Sequence, residues 1–484
     1  MKKNNSVKIN FIMNFILTIS NFIFPLITFP YVSRVLGAEG VGTVTFAASI
    51  VNYFSMVGML GIPTYGIRAC AKVRDDKEKL DKTVQEIVLL NSIVMFIAIM
   101  GLVLTVATIG KLESNKALYL ILSSTLVFNV LGVDWLYRSL EQYSYITIRS
   151  IIFKVISMVA LFLFVRQSDD YLAYAAITVL AGVGSNLMNF INLRKFVNLK
   201  PIGQLNLKQH LKPTLSFFML NISTTIYVNV DTTMLGFIKG NDAVGYYSAA
   251  TKLKQILVSI VTSLGTVLLP RLSYYYEAGK YDEFKSLVQK ALNFVFVIAL
   301  PIVVYFTLIA KQSILFLSGS DFLPATPPMQ LMMPTVLFIG LSNLMGIQVL
   351  VPTNHENVVV RSTIVGAIIN ILVNLFAIPL FGPSGAAFAS SVAEFSVALL
   401  QLYFLRELIL PLFAKVSYFK LVAGVLLGGV VTIYLLNVLN MGPFLMLVIT
   451  GASFFNLYGL VLLVTKEPLL MEFINSLLIK FKRS

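Results

Sequence analysis

The chain has 484 residues, of which 57% are hydrophobic and only 12% are charged. A water-soluble globule of this composition would lack the polar groups that must cover its surface, so the composition excludes a soluble protein and indicates one whose solvent is the membrane. The formal net charge of +15 is compatible with a nucleic-acid partner, but the basic residues concentrate in the loops on one side of the predicted membrane, which argues against nucleic acid.

Fourteen apolar runs follow one another along the chain, and each is long enough to cross a hydrocarbon core of about 30 Å as an α-helix. Their length and their Leu, Ile, Phe and Gly content favour helices over the short alternating strands of a membrane barrel. The sequence therefore predicts an all-α polytopic membrane protein. The predicted spans are residues 9–33, 43–67, 84–109, 117–137, 146–165, 172–193, 213–238, 245–269, 286–310, 324–350, 358–380, 386–405, 418–439 and 444–465.

Both termini are predicted to lie in the cytoplasm, because most Lys and Arg then fall in the cytoplasmic tails and loops. The first apolar run is long and lacks a small-residue cleavage site, so we interpret it as a retained span and not as a signal peptide. The single Cys70 excludes an internal disulfide and argues against a cysteine-based metal site. No cofactor, metal site or catalytic residue is predicted.

One short stretch occurs twice in the chain. Residues 36–49 read LGAEGVGTVTFAAS, and residues 239–251 read KGNDAVGYYSAAT. Arg68 and Arg271, at the ends of the second and eighth spans, keep the same spacing as the two stretches. The match therefore indicates an internal duplication and not a single shared motif.

Both copies of the stretch lie in outside turns, so the two halves share one orientation in the membrane and form parallel repeats. We predict a six-helix lobe at residues 1–200, a second six-helix lobe at 201–412, and two additional spans with a cytoplasmic tail at 413–484. The two lobes would face each other across a central cavity and would permit alternating access by rocking.

The first span carries a polar stripe formed by Asn10, Asn14, Asn21 and Thr28, which fall on one side of a helix at 100° per residue. We expect this stripe to face the cavity. Two prolines on the same helix predict a bend, which would act either as a gate or as a packing kink.

Basic residues inside or beside the spans are candidates for binding an anionic substrate, because an ionisable group costs roughly 2.5–3.5 kcal/mol there and usually faces protein, water or substrate. Arg34, Arg149 and Lys252 are the main candidates, and interfacial anchoring of each, including snorkelling of Arg149 to the headgroups, is the alternative. Glu141, Tyr145 and Arg149 would share a helix face if the fifth span begins early. Further ionisable residues in or near the first-half spans are Asp134, Arg138 and Lys154.

Two acidic residues in the second half are candidates for ion coupling. Asp231 lies inside the seventh span, where it could be protonated, bind a cation or pair with Lys252 of the next span. Glu394 lies in the twelfth span, and Asn370 and Asn374 lie one turn apart in the eleventh. Hydrogen-bonded helix contacts are the alternative interpretation of these polar residues.

Three stretches resemble Wzx-type polysaccharide flippases: GVDWLYRSLEQYSYITIRS at residues 132–150, FPYVSRVLGAEGVG at 29–42 and GYYSAATK at 245–252. The resemblance covers nearly the whole chain, and DWLYRSLEQYSYIT is fairly specific to the polysaccharide branch. These flippases belong to the superfamily of multidrug, oligosaccharidyl-lipid and polysaccharide exporters. The resemblance therefore implies a MATE-like arrangement of the two lobes.

The resemblance also implies a function. The expected activity is transfer of an undecaprenyl-pyrophosphate-linked oligosaccharide from the inner to the outer leaflet of the bacterial cytoplasmic membrane, for capsule, O-antigen or other surface polysaccharide, by alternating access coupled to H⁺ or Na⁺. By motif match, Glu141, Arg149, Lys252 and, less directly, Arg34 would line the cavity that receives pyrophosphate and sugar. Membrane lipids and other polysaccharide-assembly proteins are the expected partners.

Two rival functions remain open. A multidrug or cation antiporter of the same superfamily would favour a more acidic or aromatic cavity than the basic candidates suggest. A membrane polysaccharide polymerase or glycosyltransferase would need a sizeable extramembrane segment with acids or histidines. The longest outside connection, residues 311–323, is short, and His210 and His355 are predicted to be solvated loop residues. These observations favour a transporter over an enzyme.

Overall fold

The computed structural model describes residues 7–198, 200, 203–263 and 265–472. These residues form helices joined by short connections and contain no β-strand, which confirms the predicted all-α class. Two π-helical segments (Leu180–Gly184 and Leu344–Leu350) and one 3₁₀ segment (Ser320–Ala325) join α-helices. The α-helices are α1 (Val7–Met59), α2 (Ile62–Val73), α3 (Lys77–Thr108), α4 (Gly110–Glu113), α5 (Lys116–Gly132), α6 (Asp134–Ser139), α7 (Tyr143–Phe164), α8 (Tyr171–Val179), α9 (Asn186–Leu193), α10 (Lys208–Lys239), α11 (Asn241–Thr262), α12 (Gly265–Glu277), α13 (Tyr281–Leu308), α14 (Ala310–Ser318), α15 (Thr326–Met332), α16 (Pro334–Asn343), α17 (Glu356–Phe381), α18 (Pro383–Phe404), α19 (Arg406–Phe413), α20 (Tyr418–Val438) and α21 (Pro443–Val464).

Ten helical stretches in the described part of the chain are long and apolar enough to cross a membrane, or eleven if the pair Ser320–Met332 and Pro334–Leu350, bent by 43°, forms one span. The predicted run 9–33 falls within α1, and the run 43–67 covers the end of α1 and the first half of α2. Helix α10, with 32 residues, is about 48 Å long at 1.5 Å per residue, which also exceeds the hydrocarbon thickness. The chain is thus a multi-pass membrane protein, while the count of fourteen spans and the side of the termini stay predictions.

The duplicated stretch adopts the same backbone conformation in both copies. Helix α1 breaks at Gly37, with φ 65° and ψ −174°, and the junction between α10 and α11 is Gly240, with φ 93° and ψ −177°. This combination of angles is essentially restricted to glycine. The two glycines keep the spacing of the sequence repeat, so the local structure supports the duplication.

The two copied turns also pack against each other, and the contact is reciprocal. A Cβ added at Gly42 would meet the carbonyl oxygen of Asn241 at 1.8 Å, and a Cβ added at Gly245 would meet the carbonyl oxygen of Ala38 at 2.1 Å. Small residues allow such close backbone approach between membrane helices. The Asn241 amide adds a hydrogen bond to the Thr43 hydroxyl at 2.8 Å.

The chain forms two compact units, Met1–Gly245 and Tyr246–Ser484, which we call unit one and unit two. In unit one, the long helix α1 packs against α3, α5, α7 and α10. In unit two, α17 packs against α18, and α20 packs against α21 and α13. The lobe boundaries drawn from the repeat, at residues 200 and 412, stay a prediction.

Candidate functional site

Helix α7 carries a buried arginine at the centre of a polar network in unit one. Arg149 is only 6% exposed, and its guanidinium forms an ion pair with Asp134 at the start of α6. It also donates hydrogen bonds to the Ser185 hydroxyl at 2.6 Å and to the Asn186 side-chain oxygen at 3.4 Å. Arg149 therefore points into the protein, and the alternative that it snorkels to the headgroups is wrong.

The early start of the fifth span, which would have placed Glu141 on the same helix face as Arg149, is wrong. Helix α7 begins at Tyr143, and Glu141 lies in the preceding connection with a φ of 57°. Its carboxylate pairs with Arg74 at 3.0 Å, and both side chains are about 40% exposed. The acid that neutralises Arg149 is Asp134, so the structure separates Glu141 from Arg149.

Asp134 is held in place by two donors on neighbouring helices. Its Oδ1 oxygen accepts the bonds from Arg149 and from the Asn189 amide, the latter at 2.7 Å. Asn189 is fully buried and also donates to the Gly132 carbonyl. The Asp134 side chain nevertheless remains 41% exposed, because its second oxygen faces away from these donors.

A second buried cation, Lys154, lies on the same helix and meets the first span. Its ammonium donates to the Ser20 hydroxyl at 2.7 Å and to the Asn21 side-chain oxygen at 2.5 Å. It also lies 5.9 Å from the centre of the Phe24 ring. Lys154 is 9% exposed, and no carboxylate in the described ranges lies within ion-pairing distance of it. Its charge is thus solvated by neutral groups.

The predicted polar stripe on the first span has two kinds of members. Asn14 and Asn21 are exposed, and Asn21 at the same time holds Lys154; that the stripe faces a cavity stays a prediction. Asn10 is buried, and Thr28 donates to the carbonyl of its own helix at Phe24. The stripe is therefore partly a binding surface for the Lys154 ammonium.

The remaining predicted basic residues occupy less enclosed positions. Arg34 is exposed at the end of the first span and donates to the Pro30 carbonyl at 2.5 Å. Lys252 is half-buried on α11 in unit two. Arg34 is not among the hydrogen-bond partners of Arg149, and a role for Lys252 beside Arg149 stays a prediction.

The two predicted coupling acids fall in different units. Asp231 is 4% exposed on α10 and lies close enough to the Tyr53 hydroxyl to interact with it electrostatically. Glu394 is half-buried on α18 in unit two. Since Asp231 belongs to unit one and Lys252 to unit two, their ion pair stays a prediction.

Two hydrogen bonds involve other polar residues of the second half, one within a helix and one between two helices. The Asn374 amide donates to Asn370 one turn away at 3.1 Å. The Gln401 amide donates to the Ser362 hydroxyl, joining α18 to α17 at 3.1 Å. These bonds use the polar side chains for packing within unit two.

The prediction that His210 is a solvated loop residue is wrong. His210 lies in the first turn of α10 and is 4% exposed. Its Nε2 atom lies 2.8 Å from the Glu86 carboxylate, and its Nδ1 atom lies 2.6 Å from the Tyr65 hydroxyl. This network ties α10 to α2 and α3. His355, by contrast, is exposed, as predicted.

Within the described ranges, no group of three or more His, Cys, Asp or Glu side chains could hold a metal ion. Unit one instead contains two buried cationic side chains, Arg149 and Lys154. One guanidinium is neutralised by a carboxylate, and one ammonium is held by neutral oxygens. The ammonium held by neutral oxygens can attract an anionic ligand, which would supply its counter-charge.

Comparisons with known proteins identify the family to which the chain belongs. The family described as "Polysaccharide biosynthesis protein" matches residues 7–276, more than half of the chain, and the family described as "MatE" matches residues 217–376. A "Putative O-antigen transporter" of Escherichia coli (strain K12) is 26% identical over 400 residues, which cover 80% of this chain and 94% of that protein.

Two solved structures share the fold. One is described as "Lipid II flippase MurJ, inward closed conformation"; it superposes with a TM-score of 0.74 at 16% identity and covers 93% of this chain and 98% of its own. The other is a multidrug resistance MATE family transporter in an inward-facing conformation, with a TM-score of 0.64 at 13% identity, covering 84% of this chain and 99% of its own. At these identities the likeness concerns the fold alone, and it confirms the MATE-like architecture.

Proposed function

Because the chain belongs to the polysaccharide biosynthesis protein family, we propose that it moves an undecaprenyl-pyrophosphate-linked oligosaccharide from the inner to the outer leaflet of the bacterial cytoplasmic membrane. Family membership confirms the resemblance to Wzx-type polysaccharide flippases. The relatives are named as transporters and flippases, not as enzymes. The finer points, namely the pyrophosphate carrier and the coupling ion, belong to the proposal.

The observation that carries the proposal is the buried ammonium of Lys154. A charge taken out of water costs several kcal/mol unless it is paired, and within the described residues Lys154 meets only neutral groups, namely Ser20, Asn21 and the Phe24 ring. Such an arrangement is expected where a charged ligand supplies the missing counter-ion. Pyrophosphate oxygens form strong charge-assisted hydrogen bonds with an ammonium group.

The exposed amides of the first span suit the rest of the substrate. Asn21 is exposed beside Lys154, and Asn14 is exposed two turns earlier on the same helix; each carries both a donor and an acceptor for sugar hydroxyls. An oligosaccharide head cannot cross hydrocarbon unaided, because every unsatisfied polar group costs kilocalories there. A polar, cationic path would replace water around the head while the lipid tail stays in the bilayer.

We assign the same role in unit two to Lys252, which is half-buried on α11. Arg34, at the exposed end of the first span, would receive the head at the other end of the path. Arg149 acts differently in this proposal: its charge is spent on Asp134, so it positions that carboxylate and does not bind the pyrophosphate itself.

We further propose that transport is coupled to H⁺ or Na⁺ through Asp231 or Glu394. Support for Asp231 comes from its burial within α10, since a carboxylate in such a place must be protonated, paired or bound to a cation. A multidrug antiporter would need the opposite charge in its binding site, and the buried Lys154 speaks against that alternative.

Depletion of the protein in its native cell tests the function directly. Undecaprenyl-linked glycans would be identified by mass spectrometry, and a leaflet-selective probe would locate them. Complete repeat units accumulating on the cytoplasmic leaflet are the expected result. Incomplete units would indicate an enzyme, and an unchanged lipid pool with increased drug sensitivity would indicate a multidrug exporter; either result would overturn the proposal.

A further inference from the structure

Unit one contains a cavity of about 380 Å³ at the junction of α2, α5, α6 and α9. This volume lies within the range of small-molecule pockets, roughly 300–1,000 Å³. It does not include Lys154 or the first-span stripe. The residues that line it are Met59, Pro63, Thr64, Ile67, Asn129, Gly132, Asp134, Trp135, Arg138 and Asn186.

The cavity presents a carboxylate oxygen that is held in place but not used. Asp134 spends its Oδ1 on Arg149 and Asn189, and its Oδ2 accepts no hydrogen bond from any residue that the structure describes. Because the neighbouring guanidinium and the Asn189 amide hold the side chain in one rotamer, Oδ2 is a preorganised acceptor at the cavity wall.

The cavity also presents an unused donor. Arg138 is half-buried one turn after Asp134 on α6, so both side chains lie on one helix face. The Arg138 guanidinium forms neither an ion pair nor a hydrogen bond within the described part of the chain. Asn129 donates to the Ser55 hydroxyl at 3.0 Å, which leaves its own side-chain oxygen open as a second acceptor.

An indole completes the wall. Trp135 is buried, with one face of its ring against Gly66 of α2, where an added Cβ would lie 2.6 Å from Cδ2. A rigid ring beside separated donors and acceptors suits a ligand with an apolar C–H face and a rim of hydroxyls. A phosphate oxygen placed against Asp134 Oδ2 would be repelled and an organic cation placed against Arg138 would be repelled, whereas a neutral hydroxyl can use both groups.

We propose that this cavity binds one sugar ring of the oligosaccharide head, with Asp134 Oδ2 accepting from ring hydroxyls and Arg138 donating to ring oxygens. The inference rests on the proposed function and deepens it. It separates two parts of recognition: the charged carrier contacts Lys154, while the sugar is selected in the α2–α5–α6–α9 cavity. This cavity lies toward the end of the spans predicted to be cytoplasmic, where the head would enter.

The chain offers an intrinsic probe, because Trp135 is its single tryptophan and lines the cavity. The full-length protein in lipid nanodiscs would be titrated with the oligosaccharide released by mild acid from the native undecaprenyl-linked pool. We expect a saturable change in tryptophan emission. Arg138→Gln should weaken it about tenfold, since a hydrogen bond to a charged group is lost, and Arg194→Gln, at an exposed position outside the cavity, should leave it unchanged.

Three results would overturn the sugar assignment. They are no emission change with the released oligosaccharide, equal binding by the Arg138→Gln and Arg194→Gln variants, and a saturable response to inorganic pyrophosphate alone that Arg138→Gln abolishes. Thermal unfolding of each variant checks that it is folded. Because depletion of the protein tests transport independently, a negative titration alongside cytoplasmic accumulation of complete units would refute only the cavity assignment.

Discussion

Two buried cations on α7, little more than one helical turn apart, are stabilised in opposite ways. Arg149 has a carboxylate partner in Asp134, whereas Lys154 has only the neutral oxygens of Ser20 and Asn21. The difference teaches how to divide charged residues in a membrane protein. A neutralised charge is part of the scaffold, and a charge without a counter-ion is available to a ligand.

The largest effect should come from breaking the neutralised pair. Asp134→Ala leaves the buried Arg149 guanidinium without its carboxylate; since the Asp134 side chain is 41% exposed, we expect a cost of about 2–3 kcal/mol, below the roughly 3–5 kcal/mol of a fully buried pair. We expect a clear drop in the midpoint of thermal unfolding in nanodiscs. The matched control is Glu141→Ala, whose exposed pair with Arg74 should contribute less than about 1 kcal/mol. Equal midpoints for the two variants would contradict the scaffold role of Asp134.

The unpaired cation should behave in the reverse manner. Lys154→Met removes a charge that pays a desolvation cost, so the folded protein should be as stable as the wild type or more so. Export should fall about tenfold or more, because the substrate loses a charge-assisted hydrogen bond. Accumulation of undecaprenyl-linked repeat units measures the loss, with Lys116→Met, an exposed position, as the control. Wild-type export by Lys154→Met would remove the anion-site proposal.

A smaller effect is expected in unit two. Lys252 is half-buried and forms no ion pair within the described residues, so Lys252→Met should reduce export only several-fold, with unchanged stability. The same lipid-pool assay applies, and Lys252→Arg should retain most of the activity because it keeps the charge. If Lys252→Met and Lys252→Arg lost export equally, side-chain shape and not charge would explain the role of this position.

The smallest effect should come from the hydrogen bond between Tyr65 and His210. Tyr65→Phe removes the hydroxyl that bonds His210 at 2.6 Å and should cost about 1 kcal/mol of stability. Export should change little, since the network joins helices and does not contact substrate. The unfolding midpoint and the lipid pool would be measured in parallel; a large export defect without a stability loss would show that this network does more than join α10 to α2 and α3.

Hydropathy was sufficient to predict the fold class. A membrane-spanning helix must hydrogen-bond its own backbone groups, so it can be recognised in the sequence by its length and apolar composition. The duplicated stretch was also readable, and its angles at Gly37 and Gly240 agree with the repeat. The partner of Arg149 was not readable in advance, because it depends on α7 starting at Tyr143, two residues after Glu141. Helix starts are set by local caps and tertiary contacts that spacing alone does not specify.

The burial of His210 and the hydrogen bonds of Lys154 were also not predictable from the sequence, because both depend on contacts between distant segments. His210 is buried where it contacts Glu86, which lies more than a hundred residues earlier in the chain. Lys154 was visible as an ionisable residue in a span, and Ser20 and Asn21 lie on or beside the first-span stripe. No single-sequence pattern, however, joined the two helices. Contacts between distant segments decide whether a charge is neutralised.

The reciprocal packing of Gly42 and Gly245 bears on the ancestry of the chain. In a half-length protein that paired with its own copy, one glycine would form both sides of this contact. A single substitution of that glycine would therefore disturb the contact at two places. After fusion, the two positions became separate genetic targets. Both positions hold glycine, against carbonyls 1.8 and 2.1 Å from where a Cβ would stand, so a change at either one alone would disturb the same contact.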